Sequence, residues 1–215
     1  MLLDTVTTMQ GDLMIYTIGH SNHMIERFLD LLSFHQITVL ADVRSTPYSR
    51  RNPQFNREKL KQALAEREIG YVALGEELGA RSKDRACYRD GKVVYARLAA
   101  TPLFREGLRR LKSEASEHRV AIMCAEKEPL DCHRTILVAR WLVAEGVAVG
   151  HILATGALET HAEVMARLRR RVKVSGSDMF RSEGEIDDAA YELQEERIAY
   201  TEPSQPDSRA EATDP

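Results

Sequence analysis

The sequence predicts an α/β protein: one three-layer domain on a mostly parallel five-stranded sheet, followed by an acidic C-terminal tail. Three observations predict it. Short apolar, β-rich runs alternate with helical stretches at spacings that suit βα units. The run Ile37-Thr-Val-Leu-Ala-Asp-Val43 is nearly continuously apolar, as a central parallel strand must be. Finally, 215 residues with 43% apolar and 29% charged content suffice for one domain with a full core and are too few for two comfortable ones.

Taken in order, Met1 to Met14 reads as an N-terminal extension, and the domain runs from Ile15 to Ser175. Tyr16 to Ser21 is a short strand ending in a polar turn, and Phe28, Leu29, Leu31 and Leu32 form the buried stripe of the helix after it. Ile37 to Val43 is the second strand; Arg44 to Pro53 is a loop punctuated by two prolines. Asn56 suits the N-cap of a helix from Arg57 to Glu68, with Leu60 and Leu64 on one face and Gly70 ending it. Tyr71 to Leu74 is the third strand. Gly75 to Ala99 carries no clear period, and its polar run Ala80 to Gly91 reads as an exposed excursion.

Thr101-Pro102 resembles an N-cap with proline at the first helical position, opening a helix to about Ala115 with Leu103, Phe104, Leu108 and Leu111 inward. Val120 begins the fourth strand, a polar loop follows, and an amphipathic helix runs to Gly146; Val147 to Leu153 is the fifth strand. Ala162 to Val172 is a short basic helix containing Arg167, Arg169, Arg170 and Arg171. From residue 176 the chain reads as a largely disordered acidic tail, with a short helix around Asp187 to Ile198 and a disordered end from Pro203.

Charge and cysteine content bound the function. The net charge is −3, yet Glu183 to Pro215 holds eleven acidic residues against two arginines, which leaves about +6 on Met1 to Ser182. A basic body favours anionic ligands, either small molecules or nucleic acid. Three cysteines, Cys87, Cys124 and Cys132, argue for a reducing cytoplasm over a disulfide scaffold. No apolar run approaches a membrane span, and the N-terminus lacks the pattern of a signal peptide.

Chemistry is expected where the parallel strands end. That edge collects Gly19, His20 and Ser21 from the first strand; Asp42, Arg44 and Ser45 from the second; Gly75, Glu76 and Glu77 from the third; and Cys124 and Glu126 from the fourth. Taken singly, Asp42 suits a turn cap and His20 a satisfied loop histidine; the concentration of polar residues at four strand ends points to a site. Asp131 is a natural N-cap that puts Cys132 at the first helical position, where free N–H groups favour a thiolate or a bound anion. His133 follows, and Arg134 suits bidentate contact with phosphate. The loop from Arg44 to Lys61 interleaves Arg50, Arg51, Arg57 and Lys59 with Tyr48, Phe55, Asn52 and Asn56, which suits phosphate contact with base stacking.

Sharper templates are tested against Cys124 to Arg134. A cysteine-phosphatase or rhodanese loop needs an arginine close behind the strand-end cysteine; here ten residues and the carboxylates of Glu126, Glu128 and Asp131 intervene. The cysteine spacing lacks the CxxC pattern of a zinc site, so no metal is expected, and neither GxGxxG nor a GKS/GKT loop is present, so no cofactor is. Cys124 and Cys132 form a dithiol pair only if their loop folds back.

Several motifs carry a family resemblance. TIGHS (Thr17 to Ser21), DVRSTPYSRRNPQFN (Asp42 to Asn56), LGEELG (Leu74 to Gly79), MCAEKEPLDCHR (Met123 to Arg134) and GHILATG (Gly150 to Gly156) are similar, in order, to those of the domain of unknown function 488 family. The resemblance spans Ile15 to Gly156 and implies a Rossmann-like α/β domain, usually bacterial or archaeal and cytoplasmic. It implies no reaction. Glu77, where the family pattern has a second glycine, is a departure.

The reading that follows is an enzyme hydrolysing a phosphate-bearing substrate, a nucleotide or nucleic acid. Asp42, Glu126, His20 and Cys132 are its catalytic candidates. Ser21, Arg44, Ser45, Arg51, Asn56, Glu76, Cys124, His133 and Arg134 are its candidates for substrate contact. Two alternatives stay open: thiol redox or sulfur transfer through Cys132 and Cys124, and a non-catalytic nucleic-acid-binding module.

Overall fold

The computed structural model describes residues 13–174 and 182–203; the N-terminal extension before Leu13 and the end expected to be disordered after Pro203 lie outside them. The central sheet has six strands, not five, so the architecture is mixed α/β with a mostly parallel sheet. In chain order its strands are β1 (Met14–Gly19), β2 (Val39–Asp42), β3 (Gly70–Ala73), β6 (Val120–Cys124), β7 (Ala148–Ile152) and β8 (Leu158–Thr160); the short β4 (Tyr88–Arg89) and β5 (Lys92–Val93) form a separate hairpin. The spatial order is β3-β2-β6-β1-β7-β8, and all neighbours are parallel except β8 against β7. β8 escaped sequence reading because it is three residues long, with a half-buried glutamate between two exposed residues.

The near-continuous apolarity of the inner strands reflects burial on both faces. Alternate residues point to opposite sides of a strand, so Ile15, Val39, Ala41, Val120, Ile122 and Cys124 feed one core, while Tyr16, Ile18, Leu40, Ala121 and Met123 feed the other. Helices α1 (Ile25–Phe34) and α2 (Arg57–Ala65) cover the second core with Phe28, Leu31, Leu32, Leu60 and Leu64. Helices α3 (Tyr95–Ala99), α4 (Pro102–Glu117), α5 (Arg140–Ala144) and α6 (His161–Val172) cover the first. Each fully buried leucine or phenylalanine here contributes about 1.5–3 kcal/mol. The covering helices change faces between β3 and β6, which places the β2 and β6 ends where open α/β sheets bind ligands.

Several expected boundaries move. α2 ends at Ala65, and Glu68 takes a left-handed φ of 58° before Gly70 opens β3 rather than closing the helix. Leu103, expected inward, is exposed, because Phe104, Gly107, Leu108 and Leu111 already fill the buried face of α4. The excursion from Ala80 to Gly91 is anchored by Cys87, which is buried in the first core. The acidic segment is not a tail throughout. Helix α7 (Glu183–Ile198) buries Ile186, Ala190, Tyr191 and Gln194, with Ser182 and Glu185 forming a capping box. It docks on α6 through Arg169–Asp187 at 2.6 Å, and Arg140–Asp188 at 2.8 Å ties it to α5.

Candidate functional site

Parallel register brings Gly19 beside Cys124 and Asp42 beside Met123, so three strand ends finish at one level. Gly19 is required there: a Cβ would overlap the Glu126 carbonyl oxygen and press on Arg134 Nη1. The loop after β6 lies directly over β1, and His20 and Ser21 donate backbone N–H bonds to the carbonyls of Cys124 and Ala125, both at 2.9 Å.

Two groups of polar residues occupy this edge of the sheet. The first is bonded mainly within itself, and its Arg44 reaches the wall of a cavity. Asp42, buried, accepts from Arg44 Nε at 2.9 Å and Nη2 at 2.7 Å, from the Arg44 backbone N–H at 3.1 Å, and from the Tyr71 hydroxyl at 2.8 Å. Arg44 also donates to the Phe55 carbonyl at 2.9 Å and lies 3.3 Å from His20 Nε2. His20 stacks on Phe55 and holds the Ser21 carbonyl with Nδ1 at 2.8 Å; burial, with Arg44 beside it, lowers its pKa to about 4. That geometry fits a neutral ring donating from Nδ1 and accepting at Nε2. Asp42 and His20 therefore brace the β2 end: both Asp42 carboxylate oxygens are engaged, and His20 is buried against Phe55.

The second group is Cys124, Glu126, Cys132 and His133. Cys124 ends β6, Glu126 sits in the following loop, and Cys132 closes the one-turn helix Pro129–Asp131. Asp131 is not the N-cap. Cys132 has extended backbone (φ −135°, ψ 140°), its carbonyl accepts from Thr135 and Ile136 N–H, and its Sγ lies 3.5 Å from the Arg134 N–H. Cys132 is thus itself the cap of a helix that begins as a π-helical stretch, Arg134–Ala139, and continues into α5. Such π turns concentrate at functional sites.

Both thiols lie 3.0 Å from one oxygen, Glu126 Oε2. His133 Nδ1 lies 3.6 Å from Cys124 Sγ and 3.9 Å from Cys132 Sγ, while its Nε2 meets the Val43 carbonyl at 3.1 Å. The sequence spacing had set metal binding aside, but a strand end and a helix start converge in space: ligand atoms of Cys124, Cys132 and His133 all fall within 4.8 Å. Burial, and then negative charge at Cys132, push the Glu126 carboxyl up. Burial works against a Cys132 thiolate, but the Cys124 hydrogen bond, the Arg134 charge and His133 outweigh it and hold that thiol well below its ordinary value. The hydrogen bond to Cys132, followed by burial, pushes Cys124 up.

Arg134 is fully buried and donates to the carbonyls of Glu126 at 2.6 Å and Lys127 at 3.2 Å. It fixes the Glu126 loop through these two carbonyls. Cys124, Glu126 and His133 form the floor of a cavity of about 410 Å³, whose walls include Arg44, Ser45, Thr46, Tyr48, Ser49, Arg81, Tyr95, Ile198 and Tyr200. Of the remaining candidates, Ser45 accepts from the Arg81 N–H at 3.1 Å on that wall. Asn56 accepts from the Ser49 N–H at 2.7 Å and so braces the wall loop from behind, making no side-chain cap bond to α2. Ser21, at a φ of 50°, bonds to Asn22; Arg51 is exposed; and Glu76 pairs with Lys83 at 2.8 Å beside a different cavity. Sequence reading missed Arg81, stacked 4.6 Å over the Tyr200 ring, because Tyr200 arrives from the segment taken as a disordered tail.

The fold and site together define a mixed α/β domain with a thiol–carboxylate–imidazole cluster at the C-terminal edge of its sheet. The chain belongs to the family described as "Domain of unknown function DUF488", whose model matches residues 24–142. That span contains all four cluster residues. Searches of curated proteins and of solved structures return no match. Among the described residues no helix is long and apolar enough to cross a membrane.

Proposed function

We propose that this Rossmann-like domain is a hydrolytic enzyme for a small phosphate-bearing substrate of the nucleotide class, with Glu126 as its proton carrier. The observation that carries this reading is the position of Glu126: a carboxylate on the cavity floor that makes no ion pair among the described residues, whereas Asp131, the other carboxylate of the lining, pairs with Arg171 at 2.6 Å. A base held at the floor of a cavity this size can take a proton from water beside a bound substrate. Support for an anionic substrate comes from Arg81 and from the hydroxyls of Ser45, Thr46 and Ser49 in the wall. Beyond Ser49 the chain passes into Arg50 and Arg51, and these, with Arg57, Lys59 and Lys61, make no ion pair among the described residues. The test is a hydrolysis screen of nucleotides, nucleosides and sugar phosphates with the full chain, followed by Glu126→Gln. Loss of general acid–base catalysis should lower turnover about 10²–10⁴-fold with unchanged unfolding. A variant with full activity would sink this role for Glu126.

A second reading, thiol redox or sulfur transfer, is favoured by the approach of both sulfurs to one carboxylate oxygen. Here Cys132, the thiol held low, would attack a disulfide or peroxide substrate, and Cys124 on the cavity floor would resolve the mixed intermediate, the pair giving up two protons and two electrons to that substrate. Full turnover by Cys132→Ser would remove this reading.

A further inference from the structure

The residues of the cysteine–histidine cluster satisfy a demand stronger than proximity. A tetrahedral zinc ion has sulfur ligands at about 2.3 Å and imidazole nitrogen at about 2.0–2.1 Å, which separates sulfur from nitrogen by about 3.6 Å. His133 Nδ1 stands 3.6 Å from Cys124 Sγ and 3.9 Å from Cys132 Sγ, so two edges of such a tetrahedron are close to length, and all three donor atoms fall within 4.8 Å of one another. The imidazole is also turned correctly. Its Nε2 faces the Val43 carbonyl at 3.1 Å, a contact that takes the Nε2 proton and leaves the Nδ1 lone pair toward the sulfurs. Metal-bound histidines are oriented by this kind of outer hydrogen bond.

The backbone prepares the sulfurs as well. The Arg134 N–H lies 3.5 Å from Cys132 Sγ, and the Arg134 guanidinium, itself without a carboxylate partner among the described residues, adds positive charge beneath the cluster. Cys87, by contrast, lies apart from this donor group, which makes it an internal control.

We propose that Cys124, Cys132 and His133 bind one soft divalent cation of the zinc class, leaving a fourth position beside Glu126 on the cavity floor. Binding would replace the hydrogen bonding that otherwise joins the sulfurs to Glu126 Oε2 and would release that carboxylate to hold a water beside the ion. Three protein ligands plus water is the arrangement of catalytic, not structural, zinc. The inference rests on the hydrolytic reading for the purpose of the metal, and on geometry alone for its existence.

The experiment uses the full chain, stripped with chelator and titrated with cobalt(II) as a spectroscopic stand-in for zinc. One equivalent should give thiolate-to-cobalt charge transfer and the intense visible bands of a tetrahedral site, and zinc should displace it. Cys124→Ser, Cys132→Ser and His133→Ala should each lose the signal or weaken binding at least tenfold, while Cys87→Ser binds as the parent does. In the unaltered chain, modifying the two ligand thiols with a mercurial should release one zinc per chain, a readout independent of whether any variant folds. No saturable cobalt spectrum, or one that survives loss of both cysteines, would overturn the proposal. The two readings fail separately. Absent metal binding with an inactive Glu126→Gln leaves hydrolysis standing and removes the metal; stoichiometric binding with a fully active Glu126→Gln does the reverse.

Discussion

At the scale of single residues, several polar groups at the sheet edge are accounted for by partners within the protein. Asp42, Arg44, His20 and Arg134 carry the types and positions that sequence logic assigns to catalysis, and all four are enclosed with partners from the protein itself. Asp42 and Arg44 form a bidentate pair at the β2 end, so Asp42→Ala leaves a buried guanidinium uncompensated. It should cost about 3–5 kcal/mol in a denaturant titration; a loss under about 1 kcal/mol would show that the pair is not the brace described above. His161 makes a second prediction. It is linked through His151 to Thr17 and through Nε2 to the Tyr191 hydroxyl, and burial lowers its pKa to about 4. A histidine depressed in the folded state takes up its proton more readily when unfolded. Its contribution is therefore complete above the ordinary value of 6.5 and is lost as the pH falls from there toward 4. Unfolding free energy should decline across that window, and His161→Gln should flatten the decline; an unchanged slope would contradict the assignment.

At the scale of elements, long apolar periods were legible and short or charge-dominated pieces were not. The inner strands and α1, α2 and α4 announce themselves by apolar pattern and by caps such as Thr101, whose hydroxyl accepts from the Phe104 N–H. α7 was legible only in part, as a short helix around Asp187 to Ile198; its docking was not, because its buried stripe is Ile186, Ala190, Tyr191 and Gln194, too small and too polar to stand out among seven carboxylates. Those carboxylates have a use that composition hides: Asp187 pairs with Arg169 of the basic helix, and Asp188 with Arg140. Two opposite charge runs, the basic helix and the acidic segment, are partly each other's partners. Gln194 also donates to the Leu130 carbonyl at 2.8 Å, tying α7 to the turn that delivers Cys132. Ile186→Ala should therefore cost about 2–5 kcal/mol by thermal or chemical unfolding; an effect under about 0.5 kcal/mol would mean that α7 lies loosely on the domain.

At the scale of the whole molecule, the sheet edge was foreseeable and its division in two was not. Alternation of strands and helices implies a parallel sheet, and a parallel sheet implies that reactive residues gather at one edge. Which of them share a cavity depends on side-chain direction and on loops such as Gly75 to Ala99, for which the sequence offers no period. Glu126, Cys124 and His133 reach the cavity floor because the π-helical start of α5 swings back under β6, and Tyr200 closes the wall from the far end of α7. The measurement that tests this centre most directly is an amide chemical-shift titration of the isotope-labelled full chain with nucleoside monophosphates. Saturable shifts should concentrate at Ser45, Arg81, Cys124, Glu126 and Tyr200 and weaken with salt. Saturable shifts confined to the separate cavity around Glu76 and Lys83, or none at the cysteine floor with any nucleotide, would contradict a phosphate-bearing substrate bound over Glu126.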